Sequence, residues 1–555
     1  MTPLRCPVTV NLSRSTTYRS VCQVNAKRKG SRMNHHGQRT AEPTPDDTAA
    51  ALTSAIADRD WQTAISLIEN SWVTLLLDDP QLLRVAAEAI PESELSEHPT
   101  LLAGRKLFTH WGSTNTSGLI ELPSDPEELR ALGETPKARD ALSVGAVRMI
   151  MQRATGEFRR AADIARTQTP LVSSASESQP DTLGAPLAIV RFQRGITYQL
   201  SGSFTEATSE LQQAYRAARA AGLTQLARDA ALESALGRAV AGDILQARRR
   251  LGQAPAGLSG RSVGSVAQAL VALERLDPPD AGAVLDDIGE PEDRDEMWSF
   301  VVYARAQYAL AIGQPFLGLA HLTRGVAANA DTCRPGGIAY SLLTASEIDL
   351  RLAGGEGNKA IEIADSVIGD DPWTVVAAAR ANLFARRPTV ALALCHRVDW
   401  FQSAQPRPHL EALLVQAAAH EALGETDSAD TRWVSACTLI EQTGLLRPLA
   451  LVPTRLVRTL SERTGVSTSG VAEFLAAATP SVFPTDVPVV RLTDREQAIL
   501  RELARGEPLR KIAEKQFVSI NTVKTQLRSM YQKVGGHSRE EAVAIARKLG
   551  LLQLS

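Results

Sequence analysis

Ser519-Ile520-Asn521-Thr522-Val523-Lys524-Thr525-Gln526-Leu527-Arg528-Ser529-Met530-Tyr531-Gln532-Lys533-Val534-Gly535-Gly536 is the stretch on which the reading of this chain turns. Ser519 stands where an N-cap belongs, because a short hydroxyl accepts from the orphan amides of a first helical turn. Ile520, Val523, Leu527, Met530 or Tyr531, and Val534 recur at three- and four-residue spacing, the apolar stripe of a helix. The opposite face carries Asn521, Lys524, Thr525, Arg528 and Gln532, and the glycine pair stops the helix. Two cations one turn apart, beginning at a helix N-terminus, suit a DNA major groove. Lysine and arginine donate to guanine edges, and a helix start accommodates phosphate. Taken singly, the same charges describe a solvated face.

The flanks make the stretch part of a four-helix unit. Thr493 with Glu496 forms a capping box, Ile499, Leu500 and Leu503 give the first helix its stripe, and Gly506 ends it. Pro508 fits the first position of a second helix with Ile512 and Ala513 inward, followed by the turn Gln516-Phe517-Val518. Ser538, with Glu541 three residues on, opens a fourth helix running to about Leu549.

Several spaced motifs then agree in order: Leu492-Thr493-Asp494-Arg495-Glu496, Ile512-Ala513, Ser519 to Thr525, Lys533-Val534-Gly535, and Ser538-Arg539-Glu540-Glu541-Ala542. Together they resemble the LuxR/GerE-type helix-turn-helix. The resemblance implies double-stranded DNA as partner, read by the third helix, generally by a homodimer on a two-fold site. It implies base contacts from Lys524, Thr525 and Arg528, and phosphate contacts from Ser519, Thr522 and Lys533. Lys511 is a further phosphate candidate, although Pro508-Leu509-Arg510-Lys511 departs from the usual Ser/Asn-rich entry. Gln526 stands where His is frequent. The fourth helix matches the element often used for dimer contact, which nominates Arg539, Ala542, Val543 and Ala546. RNA polymerase is an additional candidate partner.

Charge agrees with this division. Residues 492–551 hold 12 Lys/Arg against 7 Asp/Glu, and residues 1–40 hold 8 Lys/Arg and no acid, in a chain of net charge −2. The body between is therefore acidic, and the basic terminal module is the part suited to a polyanion.

From about Asp46 to Ala476 the chain is rich in Ala and Leu with few β-branched alternations, and helical patterns come in pairs around short turns. The clearest pair is Phe192, Gly195 and Tyr198, the turn Ser201-Gly202-Ser203, then Phe204, Ala207, Leu211 and Ala214. Further turns fall at Asp60-Trp61, Gly156-Glu157, Gly242-Asp243, Pro278-Pro279, Gly313-Gln314, Gly354-Gly355, Arg387-Pro388 and Gly424-Glu425. From Gly156 onward they lie 32 to 47 residues apart, near the roughly 34-residue period of tetratricopeptide (TPR) repeats. The expected fold class is all-α. A TPR-like helical-hairpin array, or α-solenoid, spans 46–476, and the helix-turn-helix module spans 491–555. A solenoid offers an extended concave side, here expected to sense a ligand or a protein partner. The alternative is a TPR-type adaptor with a vestigial DNA-binding module.

The connecting stretch 477–490 contains Pro480, Pro484 and Pro488, which disfavours helix and suggests a semi-rigid extended linker. Residues 1–45 read as a disordered basic leader, and translation starts at Met1 or at Met33. Cys6, Cys22, Cys333, Cys395 and Cys437 form no C-x-x-C pair and read as reduced thiols of a cytoplasmic protein. No apolar run reaches the roughly 20 residues of a membrane span. The chain has no G-x-x-x-x-G-K-[ST] phosphate loop, and His420-Glu421 lacks the second histidine of a zinc-protease helix. No catalysis, metal or cofactor is expected.

Overall fold

The computed structural model describes residues 45–109, 119–253, 262–289, 296–367, 369–399, 405–484, 487, 489–490 and 492–552. The basic leader, with Met33, Cys6 and Cys22, lies outside them. Among the described residues every regular element is a helix, and none is long and apolar enough to cross a membrane.

Four helices open the chain: α1 (Pro45–Ala57), α2 (Trp61–Asp78), α3 (Pro80–Ala89) and α4 (Pro99–Thr109). They share a core around Leu52, Ile65, Ile68 and Leu95. Asp60 caps α2 by accepting from the Thr63 N–H at 3.1 Å. After them come α5 (Pro126–Gly133), α6 (Ala138–Ala154), α7 (Phe158–Thr167) and α8 (Thr169–Ser178).

A run of antiparallel hairpins follows. They pair α9 (Pro180–Leu200) with α10 (Phe204–Ala220), α11 (Thr224–Ala241) with α12 (Ile244–Gln253), and α13 (Ser262–Glu274) with α14 (Pro278–Ile288). Next are α15 (Trp298–Ala311) with α16 (Pro315–Ala328), and α17 (Ile338–Ala353) with α18 (Gly357–Ser366). Last are α19 (Pro372–Phe384) with α20 (Pro388–Cys395), and α21 (Pro406–Leu423) with α22 (Thr426–Thr443). The turns read from sequence fall between paired helices: Gly242 and Gly424 close α11 and α21 in the left-handed conformation, and Pro278 and Pro388 open α14 and α20.

The two members of a hairpin are not equivalent. The second helix is amphipathic, as expected: on α10 only a stripe including Phe204, Ala207, Leu211, Ala214 and Ala218 is buried. The first helix is buried on nearly every side, as along α9, α11 and α21, because each first helix packs on the first helices before and after it. Small residues permit this: a Cβ on Gly195 of α9 would lie 2.5 Å from the Leu211 side chain.

The array also coils tightly enough to touch itself, so α11 meets α21 and α9 meets α17. Gly242 (φ +104°) sits at one crossing, where a Cβ would come within 2.8 Å of the Arg407 amide nitrogen. Arg407, fully buried, donates to the Val240 and Ala239 carbonyls at 3.0 and 3.1 Å and pairs with Glu274 at 2.6 Å. Glu274 in turn accepts from the Leu446 and Arg447 amides at 3.1 and 3.0 Å. Burial opposes the charge on Glu274, yet Arg407 and Arg447 hold its carboxyl below the usual range. Along this stretch the inner side expected as an extended concave surface is filled by the chain's own helices and ion pairs.

Helices α23 (Thr454–Thr464) and α24 (Ser469–Ala476) finish the array. The Pro-rich stretch beyond is docked rather than free. Phe483 and Val487 are buried in the cluster of Ile348, Leu352, Ile361 and Phe384, with Phe483 edge-on to Phe384 at 4.9 Å between ring centres. Cys395 and Cys437 are buried and Cys333 half-buried, all as free thiols, and burial pushes each thiol above its ordinary range.

Candidate nucleic-acid interface

The last module comprises α25 (Asp494–Ala504), α26 (Leu509–Lys515), α27 (Ile520–Val534) and α28 (Arg539–Lys548). Each start has the local reason read from sequence, with one shift. Thr493 and Glu496 make the complete capping box, Ser519 accepts from the Thr522 N–H at 3.1 Å, and Ser538 accepts from the Glu541 N–H at 3.1 Å. Pro508 is the residue before α26 rather than its first. Gly535 ends α27 with φ +83° and its N–H on the Tyr531 carbonyl.

The core of the module fixes which face of α27 is outward. Val523, Leu527, Met530 and Val534 pack against Ile499, Leu500, Leu503, Ile512 and Ala513. Asn521, Lys524, Thr525, Arg528 and Gln532 are left exposed together. Thr525 donates its hydroxyl to the Asn521 carbonyl at 3.0 Å, which leaves the oxygen as an acceptor. Ser519 is exposed and Thr522 half-buried, their hydroxyls 2.8 Å apart at the start of the helix.

Three other lysines of the module, the phosphate candidates Lys533 and Lys511 together with Lys515, are in a different electrostatic state. Lys533 binds Glu496 at 2.7 Å, Lys511 binds Glu507 at 2.9 Å, and Lys515 binds Glu502 at 2.6 Å. Glu496 is a hub that also accepts from the Thr493 amide and the Ser529 hydroxyl, both at 2.8 Å. Burial works against its charge, but Lys533, the Thr493 N–H and Ser529 outweigh it and pull the carboxyl down to about 2. Lys524 and Arg528 have no carboxylate partner among the described residues. The structure therefore separates residues that the sequence put in one group. Lys524, Thr525 and Arg528 form an open face, Ser519 and Thr522 flank its start, and Lys533 and Lys511 are tied to carboxylates.

The candidate dimer residues lie mostly on the inner face of α28. Ala542, Val543 and Ala546 belong to the module's own core, and Ala542 and Ala546 have no exposed surface. Arg539 donates to the Leu503 carbonyl at 2.7 Å. Ala542, Val543 and Ala546 thus face the module's interior and Arg539 is half-buried, whereas Glu540, Ala544 and Arg547 point outward.

Two features had no sequence signal. Phe517, in the turn between α26 and α27, has φ +52° and is 95% exposed. Asn358 of α18 contacts both ends of the module, donating to the Leu549 carbonyl at 3.0 Å and accepting from the Val490 N–H at 2.9 Å. That contact spans 191 residues of chain on one side, a separation that no local pattern encodes.

Residues 490–546 match the family model described as bacterial regulatory proteins, luxR family. The C-terminal module is a LuxR/GerE-family helix-turn-helix. The chain is similar to transcriptional regulatory protein YdfI of Bacillus subtilis (strain 168), 42% identical over 64 residues, 12% of this chain and 30% of that protein. It is similar to a nitrate/nitrite response regulator protein homolog of Haemophilus influenzae, 40% identical over 60 residues, 11% and 29% of the two chains. It is also similar to oxygen regulatory protein NreC of Staphylococcus aureus, 36% identical over 88 residues, 16% and 41% of the two chains. The chain thus spans less than half the length of these curated relatives. Over 92% of its length the chain is similar to a chain in the crystal structure of the APC/C hetero-tetramer Cut9-Hcn1, at TM-score 0.42 and 11% identity. A likeness that loose says nothing of function.

Proposed function

We propose that this protein is a sequence-specific DNA-binding transcription regulator. One observation carries the reading. On a LuxR-family module, the exposed face of α27 presents Lys524 and Arg528 one turn apart with no counter-charge among the described residues, while Lys511, Lys515 and Lys533 are each paired. A guanidinium and an ammonium without partners keep all their donors for guanine edges. In this reading α27 lies in the major groove, Lys524, Thr525 and Arg528 touch bases, and the Ser519–Thr522 start of the helix lies against phosphate. Lys533 and Lys511 reach phosphate only by sharing themselves with Glu496 and Glu507.

Two copies bind a two-fold site through the outward face of α28, at Glu540, Ala544 and Arg547, with half-sites about 34–36 Å apart. The helical array is the sensing region and RNA polymerase a downstream partner. The test is a genomic-fragment binding selection with the full chain at physiological salt, beside a Lys524→Ala, Arg528→Ala double variant. Enrichment of a two-fold motif that the double variant loses supports the reading. Equal enrichment by both proteins contradicts it.

A further inference from the structure

Where the array touches itself, an open cleft of about 470 Å³ lies between α7, the Ser201-Gly202-Ser203 turn, the start of α17 and the loop before α19. That volume falls in the range of small-molecule sites. Arg159, Ser203, Ile338, Asp371 and Gln405 all line it, so one occupant would touch hairpins far apart in the chain.

The start of α17 is the polar centre of the cleft. Its N-cap position is Gly337, which supplies no side-chain acceptor. Packing imposes glycine there, because a Cβ would collide with the Phe158 ring. The N–H groups of Ile338, Ala339 and Tyr340 have no partner among the described residues, although Ile338 and Ala339 are buried. A buried helix start left uncapped calls for water or a ligand, and its amides and dipole favour an anion.

Two side chains add to this. Ser341, in the first turn of α17, is 9% exposed and lines the cleft. Side chains of a helix lean toward its N-terminus, so this hydroxyl tilts back toward the open amides. Hydroxyls elsewhere in the array, such as those of Ser143 and Thr197, donate to the carbonyl one turn back. That of Ser341 has no partner among the described residues and, unlike the enclosed hydroxyls of Ser234 and Ser299, keeps surface that a ligand can touch. Arg159 of α7 lies across the loop that enters α17, its guanidinium carbon 3.8 Å from where a Cβ on Gly336 would be. It has no hydrogen bond or ion pair among the described residues.

The acids of the cleft are already engaged. Asp163 pairs with Arg166 at 2.9 Å, Asp370 pairs with Arg397 at 3.4 Å, and Asp371 caps α19 by accepting from the Thr374 N–H at 3.0 Å. Among the charged residues that line the cleft, Arg159 alone lacks a partner among the described residues.

We infer that this cleft binds a small phosphate monoester with a polar body. The phosphate oxygens accept from the α17 amides, the Ser341 hydroxyl and the Arg159 guanidinium, a donor set that suits a tetrahedral group better than a planar carboxylate. The body lies toward Ser203 and Gln405, whose polar groups suit hydroxyls. The site deepens the sensor half of the proposed function and rests on that reading for its biological consequence, though not for the binding itself.

The probes are glucose 6-phosphate, gluconate and glucose, one six-carbon body with a phosphate, a carboxylate and no charge, and inorganic phosphate, the group without the body. Binding to the full chain is read by isothermal titration calorimetry at constant ionic strength. Glucose 6-phosphate is expected to bind saturably and inorganic phosphate to compete with it. Gluconate should bind at least about tenfold more weakly, and glucose without saturation. Arg159→Met should weaken glucose 6-phosphate by at least about tenfold and Ser341→Ala by roughly three- to tenfold, the worth of a charged and of a neutral hydrogen bond. Melting temperatures of the unliganded variants should match the wild type. Lys524→Ala, Arg528→Ala should leave the binding as it is, because the site lies in the array. Equal binding by wild type and both cleft variants, gluconate or glucose bound as tightly as glucose 6-phosphate, or no saturable binding of either phosphate overturns the site, and water then caps α17. Affinity for the DNA fragments enriched in the selection is measured with and without glucose 6-phosphate. Probe binding that leaves DNA affinity unchanged removes the sensor reading and keeps the site. Normal DNA binding without phosphate binding removes the site and keeps the regulator.

Discussion

The residues of the C-terminal module divide between folding and recognition, and the division predicts distinct phenotypes. Lys524→Ala and Arg528→Ala should each weaken specific DNA binding by about 1–3 kcal/mol and relax the sequence preference, with little change in stability. Lys533 and Glu496 should behave in the opposite way. Glu496→Gln removes the charge that meets Lys533 and two further donors, and should destabilise the module by about 1–3 kcal/mol. The same group gives a pH dependence of known sign. Its folded carboxyl titrates at about 2 against an ordinary 4.5. Its contribution is therefore present at neutral pH, starts to fade below about 4.5 and is lost as pH falls through 2. Amide hydrogen exchange across α25 and α27 in the full chain should show protection declining over that window, and Glu496→Gln should flatten the decline. Much of this residue scale was legible in sequence, because caps and an apolar stripe are local patterns: Thr493 with Glu496, Ser519 and Gly535 all stand as read. Which lysine is free and which is paired was not legible, since Lys533 meets a carboxylate 37 residues away.

At the scale of helices, the turns were readable and the layers were not. Gly242 and Gly424 end helices because they take positive φ at low cost, and Pro278 and Pro388 begin them because they need no amide partner. Nothing local distinguishes an inner helix such as α21 from an outer one, because burial all round comes from neighbours far along the chain. Arg407 illustrates the point: in sequence it is one more charge on an Ala-rich helix, and in the fold it meets Glu274 in full burial. Removing one member of such a pair strands the other. Arg407→Met should cost about 3–5 kcal/mol, whereas Arg407→Met with Glu274→Leu should cost much less than the two single changes added together. Thermal melts of the three variants give the comparison.

The whole molecule joins a self-contacting helical array to a DNA module through a docked strap and one asparagine. Phe483 and Val487 anchor the strap, and Asn358 holds the module at Val490 and Leu549. The proline spacing predicted an extended connector and carried no information about where it lies, since docking depends on a pocket built by α17, α18 and α19. The clamp leaves the outward face of α27 exposed, so it sets where the module points without covering the face proposed to read DNA. Asn358→Ala should raise exchange at the Val490 amide by roughly the factor of five to ten that one hydrogen bond is worth, while binding to a single half-site stays within about twofold. The most direct test of the account as a whole is the salt-dependent affinity of the full chain for its enriched fragment, beside the Lys524→Ala, Arg528→Ala variant. The account predicts a steep loss of affinity with salt, near −0.9 in log–log slope for each phosphate neutralised, and a variant that keeps most of that slope but no longer prefers its fragment over unrelated DNA. A variant that retains the preference would show that α27 does not read the sequence, and would contradict the central claim.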